Sequence, residues 1–171
     1  AAVSWLAERG LDVDRIDEGR RRDVSGMRSR RRKDPRLMLE KRIEIRWRDV
    51  DAYGHVNNAV YLNYLEEARD AWVQQVLGPA SGNAWDFVLA RVEIDFRVEL
   101  TQDDGAVIVR CALDTFGRSS VGTREEVRKL DGTLSAEARS VVVPRDPESG
   151  RSRPLSDAER TRYWVAQIVI A

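Results

Sequence analysis

Five side chains capable of chemistry crowd into the ten residues from Asp49 to Asn58. They are two carboxylates, Asp49 and Asp51, the chain's only histidine, His55, and two amides, Asn57 and Asn58. The surrounding text, RWRDVDAYGHVNNAVYLNYLEEAR from Arg46 to Arg69, runs from an extended stretch through a polar loop into a helical pattern. A carboxylate thereby lies beside a helix N-terminus, whose free N–H groups and positive dipole end can hold an oxyanion. That pairing suits cleavage of an activated acyl group.

The elements that must position these residues follow from periodicity. Arg42 to Trp47 alternates, with Ile43, Ile45 and Trp47 expected on one face of a strand. Asp, Gly and Asn in Asp49 to Asn57 are poor strand formers and predict a loop. Asn57 or Asn58 can cap a following helix of about twenty residues. Tyr61, Tyr64, Leu65, Ala68, Ala71, Trp72 and Val76 form its apolar stripe, and Gly78-Pro79 stops it. So wide a stripe predicts a sheet around the helix.

The remainder reads as strands at Phe87 to Leu100, Ala106 to Thr115, Val121 to Leu130 and Leu134 to Pro144. Asp103-Asp104-Gly105, Gly117 and Asp131-Gly132 mark the turns between them. Ser156 with Glu159 three residues on predicts a capping box for a last short helix. The order β-α-β-β-β-β with short links defines an α+β fold with an antiparallel sheet.

Composition bounds the function. The formal net charge is zero, yet residues 1–42 carry 13 Lys/Arg against 8 Asp/Glu, so the rest is acidic. The basic excess centres on RRRDVSGMRSRRRK, residues 20–33, expected to be a solvated arm. Ala2 to Ile16 has a weak helical pattern interrupted by Gly10. Residues 1–39 are therefore expected to be a basic N-terminal extension, and 40–171 the domain. The extension reads as a tail, as sequence ahead of a start at Met27 or Met38, or as a contact for an anionic surface. No aromatic residue interleaves with its arginines, which argues against nucleic acid as a partner. One cysteine, Cys111, allows no internal disulfide and fits a reducing cytoplasm. One His and one Cys leave no cluster with zinc-ligand spacing, so no metal and no cofactor are expected. The longest apolar runs, AVIV and SVVV, are far short of a membrane span.

The loop motif D-x-D-x-x-G-H-V-N-N-x-x-Y is carried here by Asp49, Asp51, Gly54, His55, Val56, Asn57, Asn58 and Tyr61. With Gly117-Arg118-Ser119-Ser120 and the stretch DGTLSAEARSVVVPRDPESGRSRPL following in order, the chain from Glu40 to Tyr163 resembles the 4-hydroxybenzoyl-CoA thioesterase-like family. The resemblance implies a hotdog fold, one long central helix wrapped by a five-stranded antiparallel sheet. It implies an acyl-CoA thioesterase that forms a homodimer or homotetramer, with its site between two subunits. An exposed sheet edge is a liability for a lone subunit, which agrees with pairing.

Residue by residue, Asp51 matches the family's catalytic aspartate. It either attacks the carbonyl to form an anhydride or deprotonates a water. Asn58 matches the position whose backbone N–H faces the thioester oxygen, its side chain serving as a cap. His55 either positions the carbonyl or tunes Asp51, or is a hydrogen-bonded structural residue. Asn57 orients the loop or the water, and Tyr61 joins it in substrate binding. Arg118 matches a phosphate-gripping base, with Ser119 and Ser120 beside the pantetheine arm. Asp49 is expected to hold the loop by accepting backbone N–H bonds. A related branch takes its carboxylate from the helix, which makes Glu66 and Glu67 the rival candidates. Their plainer reading is a solvated face pairing with Arg69. Ser119 and Ser120 lack the G-x-S-x-G elbow of serine hydrolases. Tyr64, Trp72, Trp85 and Phe87 are the candidates to shape an acyl pocket.

Three other readings compete. An acyl-carrier-protein thioesterase would favour a basic pocket mouth, and the acidic domain argues against it. A dehydratase would pair His55 with a helix glutamate. A non-catalytic acyl-CoA-binding hotdog protein would have no need of Asp51.

The composition of the arm cannot bury enough apolar surface to offset its ordering entropy. Deleting residues 1–36 is expected to leave the Tm and the thioesterase rate unchanged. A large fall in either would show that the arm packs on the domain.

Overall fold

The computed structural model describes residues 38–78 and 86–170. The expected arm and the Ala2–Ile16 helix lie outside the described residues, as do Pro79 and Trp85. The elements are β1 (Leu39–Glu44), α1 (Asn58–Leu77), β2 (Phe87–Phe96), β3 (Ala106–Phe116), β4 (Val121–Lys129), β5 (Leu134–Pro144) and α2 (Asp157–Ile170). All five strands form one sheet in the order β1-β3-β4-β5-β2, with every pairing antiparallel. This is the expected hotdog arrangement. Both α1 and α2 lie against the sheet, α1 over β1, β3 and β4 and α2 over β3.

The strand periodicity delivers one face to α1. Val107, Val109 and Cys111 of β3, Val121 and Val127 of β4, and Ala136 of β5 are buried against Leu65, Ala68, Trp72 and Val76 of the helix. The stripe also takes in Val73 and Leu77, while Ala71 is only half-buried. Burial pushes the Cys111 thiol pKa well above its ordinary value. The capping box at Ser156 is formed: Ser156 N–H donates to Glu159 Oε2 at 2.7 Å and Glu159 N–H to Ser156 Oγ at 3.3 Å. It starts a helix of 14 residues rather than a short one. Tyr163 of that helix stacks on Trp72, with ring centroids 5.9 Å apart, and so ties α2 to α1.

Two further sequence expectations fail. Trp47 does not continue the face of Ile43 and Ile45. The strand ends at Glu44 and a 3-10 turn, Trp47–Asp49, follows, leaving Trp47 86% exposed. The cause is Asp49, whose Oδ2 accepts the Arg46 N–H at 2.9 Å and folds the chain back. The second failure is Arg69, which is not on a solvated face with Glu66 and Glu67. It is buried and 3.2 Å from Glu125 Oε1 of β4. Arg69 Nη1 also donates to Ser140 Oγ at 3.2 Å, Ser140 Oγ to Glu125 Oε2 at 2.7 Å, and Thr123 Oγ1 to Glu125 Oε1 at 3.0 Å. Every charge in this buried group has a partner, which its removal from water requires.

The arrangement generates a stability test. Glu125→Ala leaves Arg69 buried and unpaired and is expected to cost about 3–5 kcal/mol in urea unfolding. Arg69→Met combined with Glu125→Leu is expected to recover most of that loss. A Glu125→Ala variant as stable as the parent would show that the pair holds nothing.

Candidate active site

The loop between β1 and α1 is closed by its own backbone. Asp51 N–H donates to His55 O at 2.9 Å and Gly54 N–H to Asp51 O at 3.0 Å. Gly54 takes φ 83°, a conformation that side chains disfavour, so the turn needs glycine there. Asp51 Oδ1 accepts the Tyr53 N–H at 2.9 Å, an Asx turn that fixes one oxygen of its half-buried carboxylate. Val56 N–H donates to Leu100 O at 2.8 Å, and His55 bridges Thr101, tying the turn to the segment after β2.

Asp49 anchors the loop to the helix. It is buried, and its Oδ2 accepts both the Arg46 N–H and, at 2.7 Å, the Tyr64 hydroxyl. Its backbone oxygen takes the Asn57 N–H at 2.8 Å. Burial, and next the bond to Asp49, push the Tyr64 phenol pKa upward, so Tyr64 remains the donor. The role expected of Asp49 thus holds, with Tyr64 as a partner not foreseen in the sequence. A hydroxyl inside an apolar stripe was the available signal, since buried phenols take partners.

The helix begins as the motif implies, but the cap is Asn57. Its side chain accepts the Ala59 N–H at 2.9 Å, and Asn58 is the first helical residue. The side chain of Asn58 is therefore not the cap. Its backbone N–H belongs to the first turn, whose donors a helix cannot satisfy internally.

A cleft of about 220 Å³ opens beside this terminus, lined by His55, Asn58 and Tyr61 on one side and by Phe96–Leu100 on the other. Tyr61 is buried, packs edge-on against Phe96 at 5.1 Å, and shares a 3.1 Å hydrogen bond with Ser135 Oγ. Burial raises its pKa, keeping the phenol neutral. The wall from Phe96 to Leu100 carried no chemical signal in the sequence. Asp51 and Asn57 belong to the same loop but are not among the residues that line the cleft.

The structure does not bring Arg118, Ser119 and Ser120 to this cleft within one chain. They form the β3–β4 turn, closed by Gly117 N–H to Ser120 O at 2.9 Å. Ala106, at the start of β3, pairs with Glu44 near the loop, and the turn lies at the far end of the strand. Eleven antiparallel residues span about 35 Å. Glu66 is exposed, and Glu67 is held by Lys41 at 3.2 Å and faces Arg46 at 3.9 Å. Among the acyl-pocket candidates, Tyr64 and Trp72 are buried in the core and Phe87 is half-buried. Among the described residues no group of three or more His, Cys, Asp or Glu could hold a metal ion. No described helix is long and apolar enough to cross a membrane.

Residues 45–165 match the family model described as the thioesterase-like superfamily. The long-chain acyl-CoA thioesterase FadM of Escherichia coli (strain K12) is 26% identical over 130 residues, covering 72% of this chain and 96% of that protein. A thioesterase from Thermus thermophilus, solved in complex with coenzyme A and Zn, is 32% identical, with a TM-score of 0.61 over 76% of this chain and 92% of that one. A predicted thioesterase from Bacillus stearothermophilus is 26% identical, with a TM-score of 0.68 over 78% of this chain and 97% of that one.

The anchor can be tested through its donor. Tyr64→Phe removes one hydrogen bond from the buried Asp49 carboxylate and is expected to cost about 1–3 kcal/mol of stability. Unfolding curves would show it, and a variant of unchanged stability would mean that Arg46 N–H alone holds Asp49.

Proposed function

The chain belongs to the thioesterase-like superfamily, and we propose that within it the protein hydrolyses acyl-CoA thioesters to a free acid and coenzyme A. The observation that carries this reading is the clamped loop. It holds the Asp51 carboxylate on the same short segment as the N-terminal N–H groups of α1, and His55 and Asn58 of that segment line the cleft.

A thioester carbonyl placed with its oxygen toward the Asn58 N–H gains a hydrogen bond and the positive end of the helix dipole. These strengthen as negative charge builds on that oxygen. Asp51 then serves in one of two ways. As nucleophile, its free oxygen bonds to the carbonyl carbon and coenzyme A leaves as thiolate; water then cleaves the anhydride and restores the carboxylate. As base, it takes a proton from water while the hydroxide oxygen bonds to the carbon, and the same thiolate leaves. In a single turnover in ¹⁸O-water, solvent oxygen in the Asp51 carboxylate establishes the anhydride route, because only water attack on the Asp51 side of an anhydride places it there. His55 and Tyr61 line the cleft and position the acyl group. Glu67, engaged by Lys41 and Arg46, is a poor rival for the base. The single cysteine suits a reducing cytoplasm.

The proposed assembly is a dimer through β2. Among the described residues this strand pairs only with β5, and it carries the exposed Val88, Leu89 and Phe96, with the exposed Val98 just beyond its end. Antiparallel pairing of two β2 strands sets the Phe87 end of one copy beside the Phe96 end of the other. Phe87 pairs with Pro144, and Val142 with Val121, so the turn Gly117–Ser120 lies at that same Phe87 end. The partner's turn thereby approaches the cleft that it cannot reach within its own chain, and Arg118, Ser119 and Ser120 join the substrate site from the second subunit.

Asp51→Asn keeps the size and the Asx turn but removes the charge. It is expected to lower kcat by about 10²–10⁴-fold with acyl-CoA still bound, while Glu66→Gln and Glu67→Gln remain active. Near-normal turnover in Asp51→Asn, with loss in a glutamine variant, would move the chemistry to the helix. Sedimentation at micromolar concentration is expected to give a dimer or a dimer of dimers. A fully active monomer would end the shared-site proposal.

A further inference from the structure

A second cavity, of about 310 Å³, lies at the other end of the sheet, between α2 and the β3–β4 turn. Its lining is Phe116 at the end of β3 and Arg160, Thr161 and Trp164 of α2. Phe116 and Trp164 are half-buried, and both line the cavity. The core side is firm: Phe116 packs on Tyr163 at 6.3 Å and Tyr163 stacks on Trp72. Arg160 is exposed, and its Nη1 donates to Gly117 O at 3.2 Å, which fixes the guanidinium at the turn. Arg118 in that turn is exposed and has no carboxylate partner among the described residues, and its backbone oxygen takes the Leu155 N–H at 2.8 Å.

From this geometry we infer that the α2 cavity binds the nucleotide end of coenzyme A, with the adenine against Trp164 and Phe116 and the ribose phosphate facing Arg160 and Arg118. Two half-buried aromatic rings and the Arg160 guanidinium line one cavity, and the adjoining turn adds the exposed Arg118, which together match a π-surface that carries phosphates. An acyl chain would want the apolar walls but no arginine, which is why the nucleotide is the better occupant. The placement also fits the carrier. Phe116 lies on β3, three strands in from the β2 edge, at the end of the sheet that the proposed dimer sets beside the partner's cleft. With neighbouring strands about 4.8 Å apart, the cavity lies roughly 20 Å across the sheets from that cleft. That is a span for an extended pantetheine arm.

The inference rests on the acyl-CoA reading and sharpens it. A carrier protein presents the same phosphopantetheine arm without adenosine, so a nucleotide site favours coenzyme A as the carrier. Neither Phe116 nor any residue of α2 stood out as a site residue in the sequence.

The test compares two thioesters of one acyl group, acyl-CoA and acyl-pantetheine, on the full chain. Trp164→Ala is expected to raise KM for acyl-CoA by about 5- to 100-fold, the range that stacking of a base supports, with kcat held and with acyl-pantetheine kinetics unchanged. Arg160→Gln, a surface change that spares the aromatic packing, is expected to raise KM for acyl-CoA in the same selective way. Equal losses on both thioesters, or no loss on either, would overturn the inference. Adenosine 3′,5′-bisphosphate, titrated by calorimetry, reads the cavity without turnover. Binding that is lost in both variants supports the site even if neither thioester is hydrolysed, an outcome that would instead sink the thioesterase reading. No binding to the parent protein overturns the site.

Discussion

One buried carboxylate sets the geometry on which the rest depends. Asp49 Oδ2 takes the Tyr64 hydroxyl from the second turn of the helix and the Arg46 N–H from the end of the strand. It therefore fixes the angle at which strand becomes loop and loop becomes helix. A carboxylate away from water demands such donors, and here the two donors belong to the two elements that must be joined. The reversal after Glu44, the exposure of Trp47 and the entry of Asn57 as cap all follow from satisfying that one group. The residue proposed to do chemistry two positions later inherits its placement from it.

The sheet and helix are held in register by a second buried polar group, Arg69 with Glu125, Ser140 and Thr123. A purely apolar helix face can slide or rotate against strands at small cost. A guanidinium that must meet one carboxylate and one hydroxyl cannot. The network lies midway along α1, between the cleft at the start of the helix and the Trp72–Tyr163 stack near its end. The two ends of the molecule, one with the cleft and one with the α2 cavity, are thus fixed to a common frame.

Much of this was legible in the sequence because it is written in local pattern. Period-two alternation marked the strands from Phe87 onward, Ser156 and Glu159 marked the start of α2, and the run from Asp49 to Tyr61 marked the loop and its helix. What escaped depends on contacts distant in the chain. Trp47 fits the alternation of Ile43 and Ile45, and only the need of Asp49 for the Arg46 N–H ends the strand before it. Arg69 looks like a surface partner for neighbouring glutamates until β4 supplies Glu125, 56 positions away. Phe116 and Trp164 are ordinary half-core residues in the text, and they line one cavity only because α2 lies against β3. The wall from Phe96 to Leu100 was invisible for a similar reason: its role comes from where the sheet edge ends, not from its residue types.

The loop anchor has one more consequence. Asp49 and Tyr64 are 15 positions apart, and every hydrogen bond that shapes the proposed reactive loop, apart from its ties to Leu100 and Thr101, closes between Arg46 and Tyr64. Short loops of chain close at little entropic cost. The reactive loop is therefore a nearly self-contained cassette, while the cavity at α2 is assembled mainly from residues over a hundred positions further along than Asp49. Changes that retune what the far cavity holds leave the cassette's internal bonds untouched. The two proposed roles, chemistry at the loop and carrier recognition at α2, can then vary as separate modules on one scaffold.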